Sequence, residues 1–237
     1  MNASFYTARQ GVMSQQEKMN VVSNNIANVN TTGYKSKDSV FQDLMYHNMR
    51  DVETVDSRIY AGAGAAVNHT NTNYASGAIA PSTGSYDFGI QGEGFFMIQD
   101  SATEEILYTR DGSFQVSERP DGFYLITANN QLVLDRNGQP IRRTETMELT
   151  GTPGVFTFEN TDGMLSIGNN SFQPIEKNGE PIFNEEAKVL EGYLEQSNVD
   201  LANEMTKVIE ASRSYSYVLK MLQTSNEVEE TINSLRR

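Results

Sequence analysis

The sequence predicts an α+β chain, with N- and C-terminal helices forming a coiled-coil-like stalk around an inserted antiparallel β-rich domain. Three observations predict it: helical apolar spacing at both ends, short β-rich runs between turn signals in the middle, and a charge map that separates the ends from the middle. The chain has 237 residues, enough for one large domain or two small ones, and 38% of them are apolar.

The N-terminal element carries apolar residues at Phe5, Ala8, Val12, Met19, Val22, Ile26 and Val29. These steps of three, four and seven follow a heptad, broken only at Gln15, and trace the narrow stripe of a coiled-coil seam. Gly11 lies inside the stripe, where glycine costs about 1 kcal/mol relative to alanine, and it suits close approach by another backbone. Asn24, Asn25, Asn28 and Asn30 then load the end of the element with amides that compete for backbone groups. Gly33 fits as a terminator a few residues on.

The next stretch, 36–79, reads as a connector. Val40–Met45 suggests a short helix. The alanine–glycine run 61–66 and the Asn/Thr-rich run 68–73 read as extended or mobile chain. From about residue 80, turn signals recur at Asp111-Gly112, Pro120-Asp121-Gly122, Asn137-Gly138, Asp162-Gly163 and Asn178-Gly179. Between them lie runs such as Gly94–Ile98, Ile106–Tyr108, Phe123–Ile126 and Val155–Phe158, which predict short antiparallel strands.

The last element opens on Ser197-Asn198-Val199-Asp200, read as a cap with an acid three residues on. Apolar residues follow at Leu201, Met205, Val208, Tyr215, Leu219 and Leu222. The stripe then slips by one position to Met221, Val228, Ile232 and Leu235, with Ser212 and Ser225 filling heptad sites. Arg236-Arg237 at its end suits the helix dipole. At 1.5 Å per residue such a helix is on the order of 55 Å long. The expected division is therefore a terminal helical domain at 1–35 and 197–237, an extended connector at 36–79 and a β-rich outer domain at 80–196.

Charge sharpens this division. Residues 1–50 hold five basic and three acidic groups (+2), and residues 197–237 hold five and six (−1). The middle holds eight and 22 (−14) of a net −13. An acidic middle argues against nucleic acid and reads as a solvated, outward-facing body. There is no cysteine, which excludes disulfides and thiolate metal sites. His47 and His69 stand in unpatterned surroundings and read as surface residues, so no metal and no cofactor is expected. No apolar run approaches the about 18 residues of a membrane span, and no cleavable secretory signal is expected at the start. Gly89, Gly92 and Gly94 lack the Lys-Ser/Thr ending of a phosphate loop and read as turn glycines. The pairs Glu104-Glu105 and Glu185-Glu186 read as solvated surface, not a glycosidase dyad. The reading is not an enzyme. Each narrow stripe is less than the β body can cover, so the helices are expected to pair with each other and then with helices of other subunits.

Several blocks carry a resemblance. Ser23–Lys35, SNNIANVNTTGYK, resembles the N-terminal signature of bacterial flagellar rod and hook proteins. Phe41-Gln42-Asp43-Leu44 resembles the segment that follows it in distal rod proteins. Gly92–Phe96 and Tyr108–Phe114 are similar to the family's central β motifs, and Gly192–Leu201 with Glu204-Met205 to its C-terminal signature. The resemblance implies an axial subunit of the flagellar basal body. Its helices would build an inner tube and its β body would lie outside. It would leave through the flagellar export apparatus without a cleavable signal. Its partners would be itself and other flagellar rod or hook axial proteins, with no nucleic acid and no membrane insertion. The length suits a rod protein better than a hook protein. The connector at 51–79, rich in Ala, Gly and Asn, departs from the distal pattern and leaves the proximal rod open. Outside the family, a β-rich fibre or phage-tail-like subunit is the alternative.

The residues expected at subunit interfaces are Phe5, Val12, Met19, Val22, Asn24, Asn25, Ile26, Asn28 and Val29 at one end. At the other they are Leu201, Met205, Val208, Tyr215, Leu219, Leu222, Val228, Ile232 and Leu235. Arg213 and Tyr217 flank the second stripe as contacts or as plain surface. The asparagines are expected to exchange amide hydrogen bonds across neighbouring helices, with Asn30 alternatively a simple helix-end cap.

Overall fold

The computed structural model describes residues 3–48, 60–144 and 148–235. Helix α1 spans Ala3–Ala27 and helix α2 spans Leu201–Leu235. Between them run strands β1 (Lys37–Asp43), β2 (Tyr46–Asn48), β3 (Tyr60–Gly62), β4 (Ala65–Thr72), β5 (Ile79–Pro81), β6 (Phe88–Gln91), β7 (Phe95–Gln99), β8 (Ile106–Thr109) and β9 (Gln115–Arg119). They continue with β10 (Gly122–Ile126), β11 (Leu132–Val133), β12 (Arg142–Arg143), β13 (Val155–Thr157), β14 (Leu165–Gly168), β15 (Ser171–Gln173), β16 (Ile182–Phe183), β17 (Lys188–Glu191) and β18 (Tyr193–Glu195). The chain is thus α+β, a helix at each end and a β-rich middle. It divides into two compact units. A helical unit takes the chain up to residue 27, residues 37–71 and the chain from residue 200. A β unit takes residues 28–36 and 72–199.

In the helical unit α1 and α2 pack on each other, and two ribbons accompany them, β1 with β4 and β2 with β3. Val40–Met45 therefore does not form the expected short helix: residues through Asp43 lie in β1. Val40 and Phe41 are β-favouring side chains, and β4 satisfies the strand's backbone. The Asn/Thr-rich run is likewise paired strand, within β4, because threonine suits a pleated surface as well as it suits a loop. His69 is exposed on β4, and the backbone of His47 pairs with Ala61 across β2 and β3. Residues 51–59 of the expected connector and the terminal Arg236-Arg237 lie outside the described residues.

In the β unit, among the described residues, ten strands join one sheet in the order β12-β10-β11-β7-β8-β15-β14. Strand β9 is added on β10, β13 on β7 and β16 on β13. Strand β7 explains why the sequence reads Phe95-Phe96-Met97-Ile98 without alternation. Phe96 and Ile98 belong to one buried cluster, with Phe88, Leu107, Phe114, Leu125, Val133 and Val155. Phe95 and Met97 belong to another, with Tyr108, Leu134, Phe156, Phe158 and Phe172. Successive side chains point to opposite faces, so a strand covered on both faces must be apolar at every position. Two shorter ribbons, β6 with β17 and β5 with β18, complete the unit.

Candidate functional site

In the helical unit the two helices run antiparallel, and three contacts fix their register. Ser4 Oγ lies 3.0 Å from Ser225 Oγ. A Cβ added at Gly11 would lie 3.3 Å from Val218 Cγ1, so the glycine sits hard against α2 as its position in the stripe suggested. Asn25 Nδ2 donates to Glu204 Oε2 at 3.0 Å. From Ser4 to Gly11 is seven residues forward and from Ser225 to Val218 seven back; Gly11 to Asn25 is fourteen forward and Val218 to Glu204 fourteen back. The layers fall one or two heptads apart, and apart from Val218 their residues are small or polar; the buried Ala211 lies seven residues from both Val218 and Glu204.

Helix α1 also grips the strands beside it with small polar side chains. Thr7 Oγ1 donates to Gly62 O at 3.3 Å, and Ser14 Oγ shares its one proton between Ala65 O at 2.8 Å and Gln10 O at 2.9 Å. Asn25, 1% exposed, makes the most complete contact. Its Nδ2 donates to Lys37 O at 2.8 Å and its Oδ1 accepts from Lys37 N at 2.9 Å, so the amide pairs with backbone as another strand would. Those two bonds fix which amide atom is which. Beyond it Glu204 Oε1 accepts from Lys207 Nζ at 2.7 Å, and Lys207 reaches Asp38 Oδ1 at 2.8 Å. Burial opposes the charge on Lys207, but the hydrogen bonds to Asp38 and Glu204 outweigh it and raise its pKa.

The expected interface residues divide accordingly. Val22 is buried, and Phe5, Val12, Met19, Ile26, Val208, Tyr215, Leu219 and Leu222 are half-buried. Asn24 is exposed, and Asn25 is engaged within its own chain. Helix α1 ends at Ala27, so Asn28 and Val29 lie past it in a turn, where Asn28 Oδ1 accepts from Thr31 Oγ1 at 3.2 Å. Helix α2 is capped by Asp200, not Ser197: Asp200 Oδ1 accepts from Ala202 N at 3.0 Å and Asn203 N at 3.4 Å, while Ser197 Oγ takes only Val199 N. The remaining apolar side chains stay uncovered. Leu201, Met205 and Ile209 form one row at steps of four, and Tyr217, Met221, Val228, Ile232 and Leu235 form another at steps of four, seven, four and three. All eight are between 40% and 82% exposed. Arg213 is exposed as well.

The β unit holds a second constellation, which sequence reasoning missed. Glu195 at the end of β18 is fully enclosed. Its Oε1 accepts from Lys35 Nζ at 2.7 Å and Gly77 N at 2.6 Å, and its Oε2 from Arg110 Nη1 at 2.7 Å. Lys35 donates again to Ala75 O, and Arg110 Nη2 to Gly92 O, each at 2.8 Å. Both charged groups of each ion pair are about 1–2% exposed. Burial is the main influence on Lys35 and lowers its pKa. The charge and hydrogen bond of Glu195 pull the other way, and the Arg110 charge adds to the lowering. Arg110 Nε is buried with no partner. Gly33, at φ +64°, donates its N–H to Glu195 O at 2.8 Å; a Cβ there would lie 2.5 Å from the Arg110 carbonyl carbon. Only glycine meets both demands. The sequence signal was charge inside a strand-like run, Leu194-Glu195, matched by single cations in two other motifs.

Gly92 and Gly94 take positive φ in the link between β6 and β7, whereas Gly89 lies within β6 and not in the expected turn, and the exposed Glu185 pairs with Arg136 at 3.3 Å. Among the described residues no group of histidine, aspartate and glutamate side chains is placed to hold a metal, and no helix is long and apolar enough to cross a membrane.

Two terminal helices paired in one register, with a β-rich body inserted between them, define the class: an α+β structural protein whose ends meet. Comparison with known proteins makes it particular. Residues 5–35 match the model of the flagella basal body rod protein family. Residues 89–150 match that of the flagellar hook protein FlgE/F/G D1 domain, and residues 190–235 that of the flagellar basal body rod FlgEFG protein C-terminal region. The chain is 31% identical to the flagellar basal-body rod protein FlgG of Buchnera aphidicola subsp. Schizaphis graminum, over 99% of this chain and 100% of the relative. It is 28% identical to FlgG of Bacillus subtilis, over 100% of both. It is 25% identical to the flagellar basal-body rod protein FlgF of Mesorhizobium japonicum, over 99% of this chain and 98% of the relative. The chain belongs to the flagellar basal-body rod protein family: it is a structural subunit of the bacterial flagellar basal body.

Proposed function

We propose that this subunit polymerises through its terminal helices, together with other rod and hook axial proteins, into the drive shaft of the flagellum. The observation that carries the reading is the pair of apolar rows on α2 that its own chain leaves uncovered. Exposed rows of this length mark an interaction surface, and identical helices repeated around an axis are the simplest cover for them. The α1–α2 pair then serves as a coiled-coil-like stalk of the inner tube, and the acidic β body faces outward. Passage through the flagellar export apparatus accompanies this reading. Within the family we assign the distal rod. Support comes from the Phe41-Gln42-Asp43-Leu44 block and from FlgG relatives that match along their full length. FlgF relatives, at 25–27% identity, keep the proximal rod as the competing assignment.

The test replaces Val228 and Ile232 together with glutamate in a flagellated cell that lacks its own copy. Basal bodies should stop at an incomplete rod and motility should vanish, while the purified variant keeps wild-type helical circular dichroism. Normal basal bodies and swimming would overturn the reading. Antibody labelling of purified basal bodies, at the hook-proximal or the membrane-proximal end of the rod, separates distal from proximal.

A further inference from the structure

We propose that Lys35, Glu195 and Arg110 form a latch that closes the segment Asn28–Ser36 into the β unit only once the C-terminal stretch Glu195–Asn198 is in place. The first argument is what the cluster is not. Burying ion pairs costs as much desolvation as their attraction returns, so apolar side chains of the same volume would hold the unit at least as well. A buried cluster of this kind specifies an arrangement more than it stabilises one.

The second argument is where the segment finds its partners. Gly33 N–H donates to Glu195 O, Asn198 N–H to Tyr34 O, and Ser36 N–H to Asn198 Oδ1, the last at 2.7 Å. Lys35 Nζ meets a carboxylate 160 residues away in sequence. Without Glu195–Asn198 the segment loses these bonds together and its lysine loses its counter-ion, keeping only Ala75 O, while Thr32 stays bonded to Asp111 and Asn170 and Ser36 O to Asn73 N. Full closure, with the lysine neutralised, therefore waits on a stretch made 160 residues later in the chain.

The third argument is the charge balance. The closed latch holds two cations around one carboxylate, and Arg110 Nε has no acceptor even then. Losing Lys35 leaves a balanced Arg110–Glu195 pair. Losing the Glu195 charge leaves two buried cations. The carboxylate is the keystone and the lysine is its dispensable partner, an asymmetry that simple packing does not produce. On the proposed-function reading, on which this biological role rests, a chain whose late stretch is missing or misplaced presents an unlatched N-terminal signature and stays out of the polymer.

Hydrogen exchange on the isolated full-length chain, read by mass spectrometry, tests the latch without any assembly step. In the wild type, residues 28–36 should exchange through local opening, faster than β7 at 95–99. Glu195→Gln should speed exchange at 28–36 by about ten-fold or more and leave 95–99 within about two-fold, while Lys35→Met stays within about three-fold at both. Equal effects of the two variants, or no effect of Glu195→Gln, would overturn the proposal. Acceleration of both regions together, or failure of Glu195→Gln to fold, would make the cluster a global stability element and overturn it as well. So would wild-type protection at 28–36 equal to that at 95–99. These readouts concern the monomer, so their failure leaves the rod reading standing, and loss of the rod reading leaves the latch measurable.

Discussion

The two units of this molecule differ in what most of their buried surface is made of. The β unit encloses Phe95, Phe96, Ile98, Leu125 and their neighbours on both faces of one sheet. The helical unit encloses Ser14, Asn25, Ala211 and Glu204 beside a single large apolar side chain among the described residues, Val22, and leaves Met205, Ile209, Tyr217, Met221, Val228 and Ile232 in solvent. One unit spends its apolar surface on itself. The other spends polar groups on itself and keeps apolar surface for something else. A helix pair joined through serine, glycine and asparagine gains register from its own chain more than it gains stability, which is a sensible economy for an element that completes itself by association.

Breaking the comparison on the β side should have the largest effect. Phe96 is fully buried, and Phe96→Ala should lower the unfolding free energy of the β unit by about 3–5 kcal/mol, read by urea unfolding of the isolated chain. A loss below about 1 kcal/mol would mean that this core does not carry the unit. On the helical side no single apolar truncation should cost as much; the sensitive residue is polar. Asn25→Ala removes three hydrogen bonds at once, to Lys37 N, Lys37 O and Glu204 Oε2, so a loss of about 2–3 kcal/mol is expected in thermal melts of helical circular dichroism. Asn25→Asp should be no better, because it removes the donor and sets a carboxylate against Glu204. If alanine is tolerated as at a surface position, the contrast between the units fails.

The smallest effect sharpens the comparison by pH. Burial pushes Tyr108 up to about 12, from an ordinary value of 10.0. Above pH 10 the unfolded chain releases this proton and the folded one holds it. Its contribution is therefore complete below pH 10 and is lost as pH rises towards 12. Tyr108→Phe should abolish that share of the alkaline loss, on the order of 2 kcal/mol, seen as a smaller drop in urea midpoint between pH 9 and pH 12. An identical drop in both proteins would show that Tyr108 ionises freely.

Much of this was legible in the sequence. The element order followed from periodicity, and the run at β7 was legible as a strand, though its lack of alternation, the mark of a strand covered on both faces, went unread. Two helices at the ends with too little body to cover their stripes pointed to association. What the sequence hid was the partner of each polar group. Asn25 looked like a contact for a neighbouring subunit because spacing places a residue on a face without saying what stands opposite; its partners are the Lys37 backbone and Glu204, distant or hidden in main chain. The same limit hid Glu195, whose two cations come from motifs 160 and 85 residues away. Strand β1 was misread because Val40–Met45 is too short for its period to decide, and only β4 decides it.

The stepped register of the helix pair has a consequence for insertions and deletions. One residue gained or lost within α1 or α2 rotates everything beyond it by about 100° and breaks every later layer. Any number of residues gained or lost between Ala27 and Leu201 shifts no layer at all. The arms of this protein are thus read in a fixed frame and its body is not. A body of new size or surface can then be carried between unchanged helices without disturbing their mutual register.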